Sequence, residues 1–199
     1  MDTTTVALAA LLGLGLSAST GLNTFLPLLL LSAAARFNVA GIELGSRFDW
    51  LTSDTAIIVL IIASVAEIIA DKIPAVDHFL DSVGTFVRPA AATLGTASVL
   101  TGVDVDPTVA AIAALIIGTP TSLGFHTLKA GTRIASSATT FGCANPILSL
   151  VEDVFSLGLT LVSLFAPLLV PLVLLLVGLV LWWLFRRTRA TSTPARSAP

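Results

Sequence analysis

The chain is organised by its first apolar stretch, Val6-Ala-Leu-Ala-Ala-Leu-Leu-Gly-Leu-Gly-Leu-Ser-Ala-Ser-Thr-Gly-Leu-Asn-Thr-Phe-Leu-Pro-Leu-Leu-Leu-Leu-Ser-Ala-Ala-Ala35. This stretch is about ten residues longer than one membrane crossing requires. Its two ends are apolar, but residues 17–24 carry hydroxyl groups, a glycine and Asn23. In hydrocarbon, every backbone N–H and C=O group needs a partner in the protein or in a water-filled cavity. We therefore predict a membrane helix that is broken at 17–24, near the middle of the bilayer, with Asn23 facing protein or water.

The composition places the whole chain in the class of integral membrane proteins. Hydrophobic residues make up 55% and charged residues 11% of the 199 residues, and the mean hydropathy is +0.99. An ordinary soluble domain has roughly 25% charged residues. A formal net charge of -2 argues against a nucleic-acid partner. We predict an all-α helical bundle with one transmembrane domain over residues 1–187 and a disordered cytoplasmic tail over 188–199.

Six segments are predicted to cross the membrane. They lie at about 6–35, 54–71, 89–103, 107–125, 147–166 and 167–185. With both termini cytoplasmic, only Arg36 and Arg47 of the basic residues fall outside, which agrees with the positive-inside rule. If 147–185 were instead one long kinked helix, the C-terminal arginines would lie outside. The sequence thus favours a multi-pass protein of the inner (plasma) membrane.

A second unusual stretch, Glu67-Ile-Ile-Ala-Asp-Lys-Ile-Pro-Ala-Val-Asp-His-Phe-Leu-Asp81, carries six ionisable side chains within fifteen residues. Charges near a bilayer are costly and are functional candidates by default. Polar residues recur at helical spacing in 74–88 and again in 126–140, which predicts two amphipathic helices. The first stripe is mainly acidic and the second is basic. Both lie on the predicted cytoplasmic side, together with the acidic pair at 152–153.

Two interpretations of these charges stay open. In the structural one, they neutralise each other in an ion-pair network, with Lys129 and Arg133 partnering Asp77, Asp81 or Glu152, because buried charges are usually paired. In the functional one, some acids are left over for a solute or ion. The count on this side is six acids, Glu67, Asp71, Asp77, Asp81, Glu152 and Asp153, against Lys72, Arg88, Lys129 and Arg133.

The broken helix has the same two interpretations. Small and hydroxyl residues allow close packing of membrane helices without any further role. Broken helices at mid-depth also form solute and ion sites in transporters, from helix ends and unwound carbonyls. In the second case Thr20 and Asn23 are the candidates.

Three motifs are Gly21-Leu-Asn-Thr-Phe-Leu-Pro27, the acidic stretch 67–81 followed by Val87-Arg-Pro89, and Ala138-Thr-Thr-Phe-Gly-Cys-Ala-Asn-Pro-Ile-Leu-Ser149 followed by Glu152-Asp-Val154. Together they resemble a bacterial membrane family, domain-of-unknown-function family 4126. The resemblance spans most of residues 10–185 and implies a small polytopic inner-membrane protein without an assigned activity. The family pattern usually has a basic residue where Asn23 stands. A role for a positive charge in the broken helix, which the family pattern would imply, therefore does not apply to Asn23 of this chain.

A short internal similarity joins Gly21-Leu-Asn-Thr-Phe25 to Gly124-Phe-His-Thr-Leu128. Three predicted segments on either side of Asp106 would have opposite topology, as an inverted repeat requires. Ser17-Ala-Ser-Thr20 and Ser137-Ala-Thr-Thr140 give a competing alignment that implies a different repeat. An internal duplication is therefore one of two open interpretations.

The favoured function is a transporter or channel for a small solute or ion, with a mid-membrane site at the broken helix and a cytoplasmic acidic vestibule at Glu67 and Asp71. The alternative is a metal-dependent membrane enzyme acting on lipid head groups, in which Asp77 and Asp81 hold a divalent metal ion. Lys129 and Arg133 would then hold phosphate, and His78 or His126 would move a proton. A non-catalytic membrane scaffold is the third class.

The candidate path residues are Thr20, Asn23, Glu67, Asp71, Asp77, His78, Asp81, His126, Lys129, Arg133, Asn145, Glu152 and Asp153. No cofactor is predicted except the divalent metal of the enzyme alternative. The expected partners are the lipid bilayer, a small solute or ion and, in a homo-oligomer, a second copy of the chain.

Overall fold

The computed structural model describes residues 2–191, with all side chains in that range except those of 74, 75, 77, 78, 184, 185 and 188–191. Within this part of the chain, seven α-helices and three short 3-10 turns are present, and no strand. The helices are α1 Thr3–Leu22, α2 Leu26–Arg36, α3 Asp54–Ala70, α4 Pro74–Gly102, α5 Pro107–Thr140, α6 Asn145–Phe165 and α7 Val170–Thr191. The all-α prediction is confirmed.

Helix α1 is the centre of the bundle. It packs against α4, α5 and α6, and its residues from Gly15 to Leu22 are all buried. Small residues make this approach possible: a Cβ at Gly13 would lie 2.6 Å from Thr96 Cγ2, and one at Gly21 would overlap the carbonyl oxygen of Ser122. Close backbone contact of this kind drives association of helices in lipid.

The first segment is broken within the predicted window of residues 17–24, at its C-terminal end. Helix α1 continues through Ser17, Ser19 and Thr20, whose hydroxyls donate to carbonyl oxygens four residues earlier at 2.7, 2.9 and 2.7 Å. This pairing satisfies a hydroxyl inside a helix. The break comes at Asn23, where φ is -138 and ψ is 121. Pro27 explains its position, because a proline ring clashes with the carbonyl of the residue four positions earlier but is tolerated in the first turn of a new helix.

The two amphipathic segments are not separate helices, which corrects the prediction. Residues 74–102 form one helix, α4, with Pro89 inside it, and residues 107–140 form one helix, α5, with Pro120 inside it. Neighbouring helices keep a proline-containing membrane helix intact. Pro74 begins α4 as predicted. The polar halves of α4 and α5 therefore extend directly from their apolar halves, and the two helices pack side by side.

Among the described residues, α1, α5 and α6 are long and apolar enough to cross a membrane, and a fourth span results if the 3-10 segment Ser46–Thr52 is joined to α3 across a bend of 62°. Outward-facing side chains on these and neighbouring helices are apolar, among them Ile62, Val65, Ile116, Val151, Val154 and Leu175. An apolar exterior around buried charges is consistent with a membrane protein. Six spans remain a prediction.

The chain leaves helical geometry at Ala166, with φ -145 and ψ 60, and a 3-10 turn at Pro167–Leu169 separates α6 from α7. The break near Pro167 was predicted. Helix α7 continues to Thr191, so the first residues of the predicted disordered tail, 188–191, are helical. The rest of that tail, 192–199, lies outside the described residues.

Candidate functional site

The carbonyl end of α1 is held by two buried cations from neighbouring helices. Arg88 Nη1 on α4 donates to the carbonyl oxygen of Gly21 at 2.9 Å, and Lys129 Nζ on α5 donates to that of Leu22 at 2.9 Å. Both side chains are 1% exposed. Positive charge is favourable at a helix C-terminus, where free carbonyl groups carry partial negative charge. The backbone groups freed by the helix break are thus satisfied by protein.

The amide end of α2 is held by a carboxylate. Glu67 on α3 accepts from the backbone N–H of Thr24 at 2.9 Å, from the Thr24 hydroxyl at 2.7 Å and from the backbone N–H of Phe25 at 3.1 Å. The next amide, of Leu26, donates to Asn23 Oδ1 at 3.2 Å. Negative charge is favourable at a helix N-terminus. The two sides of the break are therefore matched by side chains of opposite sign.

Four charged groups form the densest part of the site. Lys129 Nζ lies 2.5 Å from Asp71 Oδ2 and 3.8 Å from Glu152 Oε2. Arg133 Nη2 lies 3.4 Å from Asp71 Oδ2 and 2.7 Å from Glu152 Oε2. The ion-pair interpretation anticipated Glu152 as a partner but not Asp71. Asp71 reaches this position because it follows Glu67 by four residues at the end of α3, so both carboxylates face the bundle interior.

Arg88 connects Glu67 on α3 with the polar face of α4. Its Nη2 lies 3.7 Å from Glu67 Oε1 and 3.9 Å from Asp81 Oδ1. Its Nη1 also pairs with His126 Nδ1 at 2.9 Å, and the other ring nitrogen of His126 lies 3.1 Å from the Thr85 hydroxyl. Both ion-pair distances exceed the roughly 2.7–2.9 Å of a close charge-assisted hydrogen bond. Arg88 is therefore close to two carboxylates without being locked to either.

A third branch joins the break to α6. Asn23 Nδ2 donates to Asp153 Oδ1 at 3.1 Å, and Asp153 Oδ2 lies 3.2 Å from Lys72 Nζ. Asn23 is 0% exposed, so the prediction that it does not face lipid is confirmed. Its amide bonds both to Asp153 and to the start of α2, and it thereby fixes α6 against the break.

Two cavities reach this network. The first, of about 270 Å³, lies between the break, α3 and α4 and is lined mainly by apolar side chains, with Thr24, Glu67 and Gly84 in its wall. The second, also about 270 Å³, lies between α4 and α5 and is polar, with Asp81, Thr85, His126 and Arg133 in its wall. Glu67 belongs to one cavity and Asp81 to the other, so Arg88 lies between the two.

Four predicted path residues are not placed at the break: two have other partners, and the side chains of two lie outside the described residues. The Thr20 hydroxyl bonds inside α1, to Leu16 O, and Asn145 at the start of α6 donates to Ser137 Oγ at 3.1 Å. The side chains of Asp77 and His78 lie outside the described residues, although the backbone of both belongs to the first turns of α4. The other predicted path residues meet around the break.

Three residues of the site, Thr24, Lys72 and Arg88, are not among the path residues that the sequence predicts. Arg88 had a sequence signal, because it shares the polar face of 74–88 with Asp81 and Thr85, but it was treated only as a neutralising charge. Thr24 gave no signal of its own, since its role depends on a backbone amide freed by the break.

Among the described residues, no group of three or more His, Cys, Asp or Glu side chains is placed to hold a metal ion. Lys129 and Arg133, which the enzyme alternative assigned to phosphate, are buried and engaged by Asp71 and Glu152. Both cations therefore already have carboxylate partners within the protein, in the place where the enzyme alternative puts a phosphate group.

The family described as Domain of unknown function (DUF4126) matches residues 10–187, nearly the whole chain. No curated protein and no solved structure matches the chain.

Proposed function

We propose that this chain, which belongs to the DUF4126 family, is a multi-pass membrane transporter or channel for a small solute or ion. The observation that carries the proposal is the position of Arg88 between two cavities, 3.7 Å from Glu67 in one and 3.9 Å from Asp81 in the other. A buried cation that lies at similar distances from two carboxylates has two ion-pair partners to choose between. We infer that movement of Arg88 between these partners controls access from the two cavities to the break.

The helix break supports the same proposal. Transporters build mid-depth sites from the ends of broken helices, and here the ends of α1 and α2 meet Arg88, Lys129 and Glu67. Three side chains, Arg88, Lys129 and Glu67, satisfy the backbone groups freed at the break, whereas replacing further buried ion pairs by apolar groups is often neutral or stabilising. Keeping a third buried cation, Arg133, with the carboxylates of Asp71 and Glu152 beside the same break favours a functional role.

The membrane arrangement forms part of the proposal. We propose six spans from the apolar segments of the sequence and cytoplasmic termini from its charge sorting, in an inner membrane. The inverted repeat is supported by one contact: Gly21 packs against Ser122 and Phe125, so the two similar pentapeptides lie against each other where α1 crosses α5. A pseudo-two-fold axis through this crossing would relate the halves.

The test is flux through proteoliposomes. Purified protein is reconstituted and exposed in turn to gradients of sodium, potassium, chloride and acetate, with wild type compared to Arg88→Gln and Arg88→Lys. The matched control is Arg36→Gln. Arg36 also makes an ion pair, with Asp54 at a distance of 2.6 Å, but this pair lies away from the break. We expect flux in wild type and in the control, at least a tenfold loss in Arg88→Gln and a smaller loss in Arg88→Lys, which keeps the charge.

Folded yield of each variant is followed by gel filtration in detergent, so that a flux defect is read only on folded protein. Absence of flux in folded wild type, or equal flux in Arg88→Gln and Arg36→Gln, contradicts the proposal. Magnesium-dependent turnover of the liposome phospholipids without flux would favour the enzyme alternative instead.

A further inference from the structure

The Glu67 carboxylate is bound in the way that proteins bind a free anion. Its Oε1 accepts from the Thr24 hydroxyl and both of its oxygens accept from the Thr24 amide, while Oε2 also accepts from the Phe25 amide. Arg88 adds a positive charge at 3.7 Å. The site consists of the amide end of α2, a hydroxyl and a guanidinium, all of which are donors.

This set of donors determines whether a ligand at the break is positively or negatively charged. A cation that approached Glu67 would have to displace donors from both carboxylate oxygens and would face Arg88. An anion that displaced the Glu67 side chain would instead inherit every donor, including the partial positive charge of the helix N-terminus. Half-helix N-termini hold anionic substrate groups in the same way in several transporter folds.

A separate observation on Arg88 also indicates a ligand. The side chain is 1% exposed, and its Nε makes no hydrogen bond among the described residues. A Cβ built at Gly84 would lie 3.0 Å from this Nε, and Gly84 lines the same cavity as Thr24 and Glu67. The absence of a side chain at Gly84 therefore leaves an unused, buried donor beside the cavity wall.

The cavity wall narrows the chemistry of the ligand. Apart from Thr24 and Glu67, it is built from alanine, glycine and larger apolar residues of α3 and α4, together with Phe25. A strongly hydrated inorganic anion gains nothing from such a wall. A short aliphatic carboxylate replaces the Glu67 carboxylate group for group and buries its alkyl end against the apolar side chains.

We propose that the start of α2, with Thr24 and Arg88, is a binding site for a small monocarboxylate, and that Glu67 is a tethered occupant which this anion displaces. This inference rests on the proposed transport function and names its substrate class. Glu67 then acts as a gate: in the absence of substrate its own carboxylate fills the site and keeps the break closed.

The experiment removes the tethered carboxylate and supplies a free one. Glu67→Ala is purified in detergent, and thermal unfolding is measured with increasing sodium propionate, against sodium chloride and methylammonium chloride at equal ionic strength. We expect propionate to restore at least half of the lost unfolding temperature in a saturable manner, with little shift in wild type, where Glu67 fills the site. Adding Thr24→Val, which removes the hydroxyl donor, should reduce the rescue.

The matched control is Glu152→Ala, which also removes a buried glutamate of the network but leaves the start of α2 intact. Equal rescue of Glu152→Ala, rescue by methylammonium, or no saturable rescue overturns the proposal. If Glu67→Ala does not fold, Glu67→Ser replaces it, because it also removes the tethered carboxylate and leaves the site empty; the same outcomes then apply. Rescue without flux in proteoliposomes overturns transport but not the anion site, whereas flux without rescue overturns the anion site alone.

Discussion

Replacing Lys129 by methionine tests whether the network holds the bundle together. Lys129 is 1% exposed and joins three partners: the carbonyl of Leu22, Asp71 at 2.5 Å and Glu152 at 3.8 Å. Breaking a buried ion pair by removing one partner costs about 3–5 kcal/mol, because the other charge stays buried. Arg133 remains 3.4 Å from Asp71 and offsets part of this loss, but the carbonyl of Leu22 loses its cation, which costs about 1–3 kcal/mol. We therefore expect a net destabilisation of about 3–5 kcal/mol.

The assay is unfolding by SDS in mixed micelles, followed by circular dichroism. Arg36→Met is the matched control: its ion pair with Asp54 is 37% and 80% exposed, and exposed pairs contribute only about 0–1 kcal/mol. In the double variant Lys129→Met with Asp71→Asn, the stability loss should be smaller than the sum of the two single losses, because no unpaired carboxylate stays behind. Equal destabilisation by Lys129→Met and Arg36→Met would refute the structural role assigned to this cation.

Two further predictions concern orientation and packing. Cys143 is exposed just after the end of α5 and should react with an impermeant maleimide from the cytoplasmic side. In a Cys143→Ser background, Ser46→Cys should react from the other side, because α5 spans about 50 Å between these regions. Labelling of both cysteines from the same side contradicts the predicted topology. Gly21→Ala should destabilise the protein by about 1–3 kcal/mol through overpacking, since the new Cβ overlaps the Ser122 carbonyl and lies 2.6 Å from Phe125 Cβ. Gly124→Ala, with no atom within 4 Å of its new Cβ, should be neutral or slightly stabilising in the same unfolding assay, and an equal loss in both variants would show that the α1–α5 contact is not tight.

The sequence was sufficient wherever a property depends on neighbouring residues. Hydropathy predicted a helical membrane protein, and helical spacing predicted the polar stripes along 74–88 and 126–140. The long first segment predicted a break within 17–24, and the break lies at the end of that window, after the polar residues 17–20. Their hydroxyls bond to the preceding turn, and the position of the break follows instead from Pro27.

The tertiary structure decided which charges meet. Glu67 binds Thr24 from 43 residues away, Lys129 binds Leu22 from 107 away, and Asn23 binds Asp153 from 130 away. A pattern read along the chain supplies the inventory of acids and bases but not these pairings. For that reason the sequence left both an ion-pair network and a solute path open, and it indicated only a neutralising role for Arg88.

What the sequence determined by itself is the apolar, all-helical character of the chain, the inventory of its charges and the need for partners at a broken helix, because hydropathy and hydrogen-bonding demand are properties of each residue. Only the tertiary structure decided where each of those charges lies: the cations at the carbonyl end of α1, Glu67 at the amide end of α2, and Arg88 between two cavities. The physical reason is that electrostatic pairing depends on distances in space of a few ångströms, which arise only when α3, α4, α5 and α6 pack around the break.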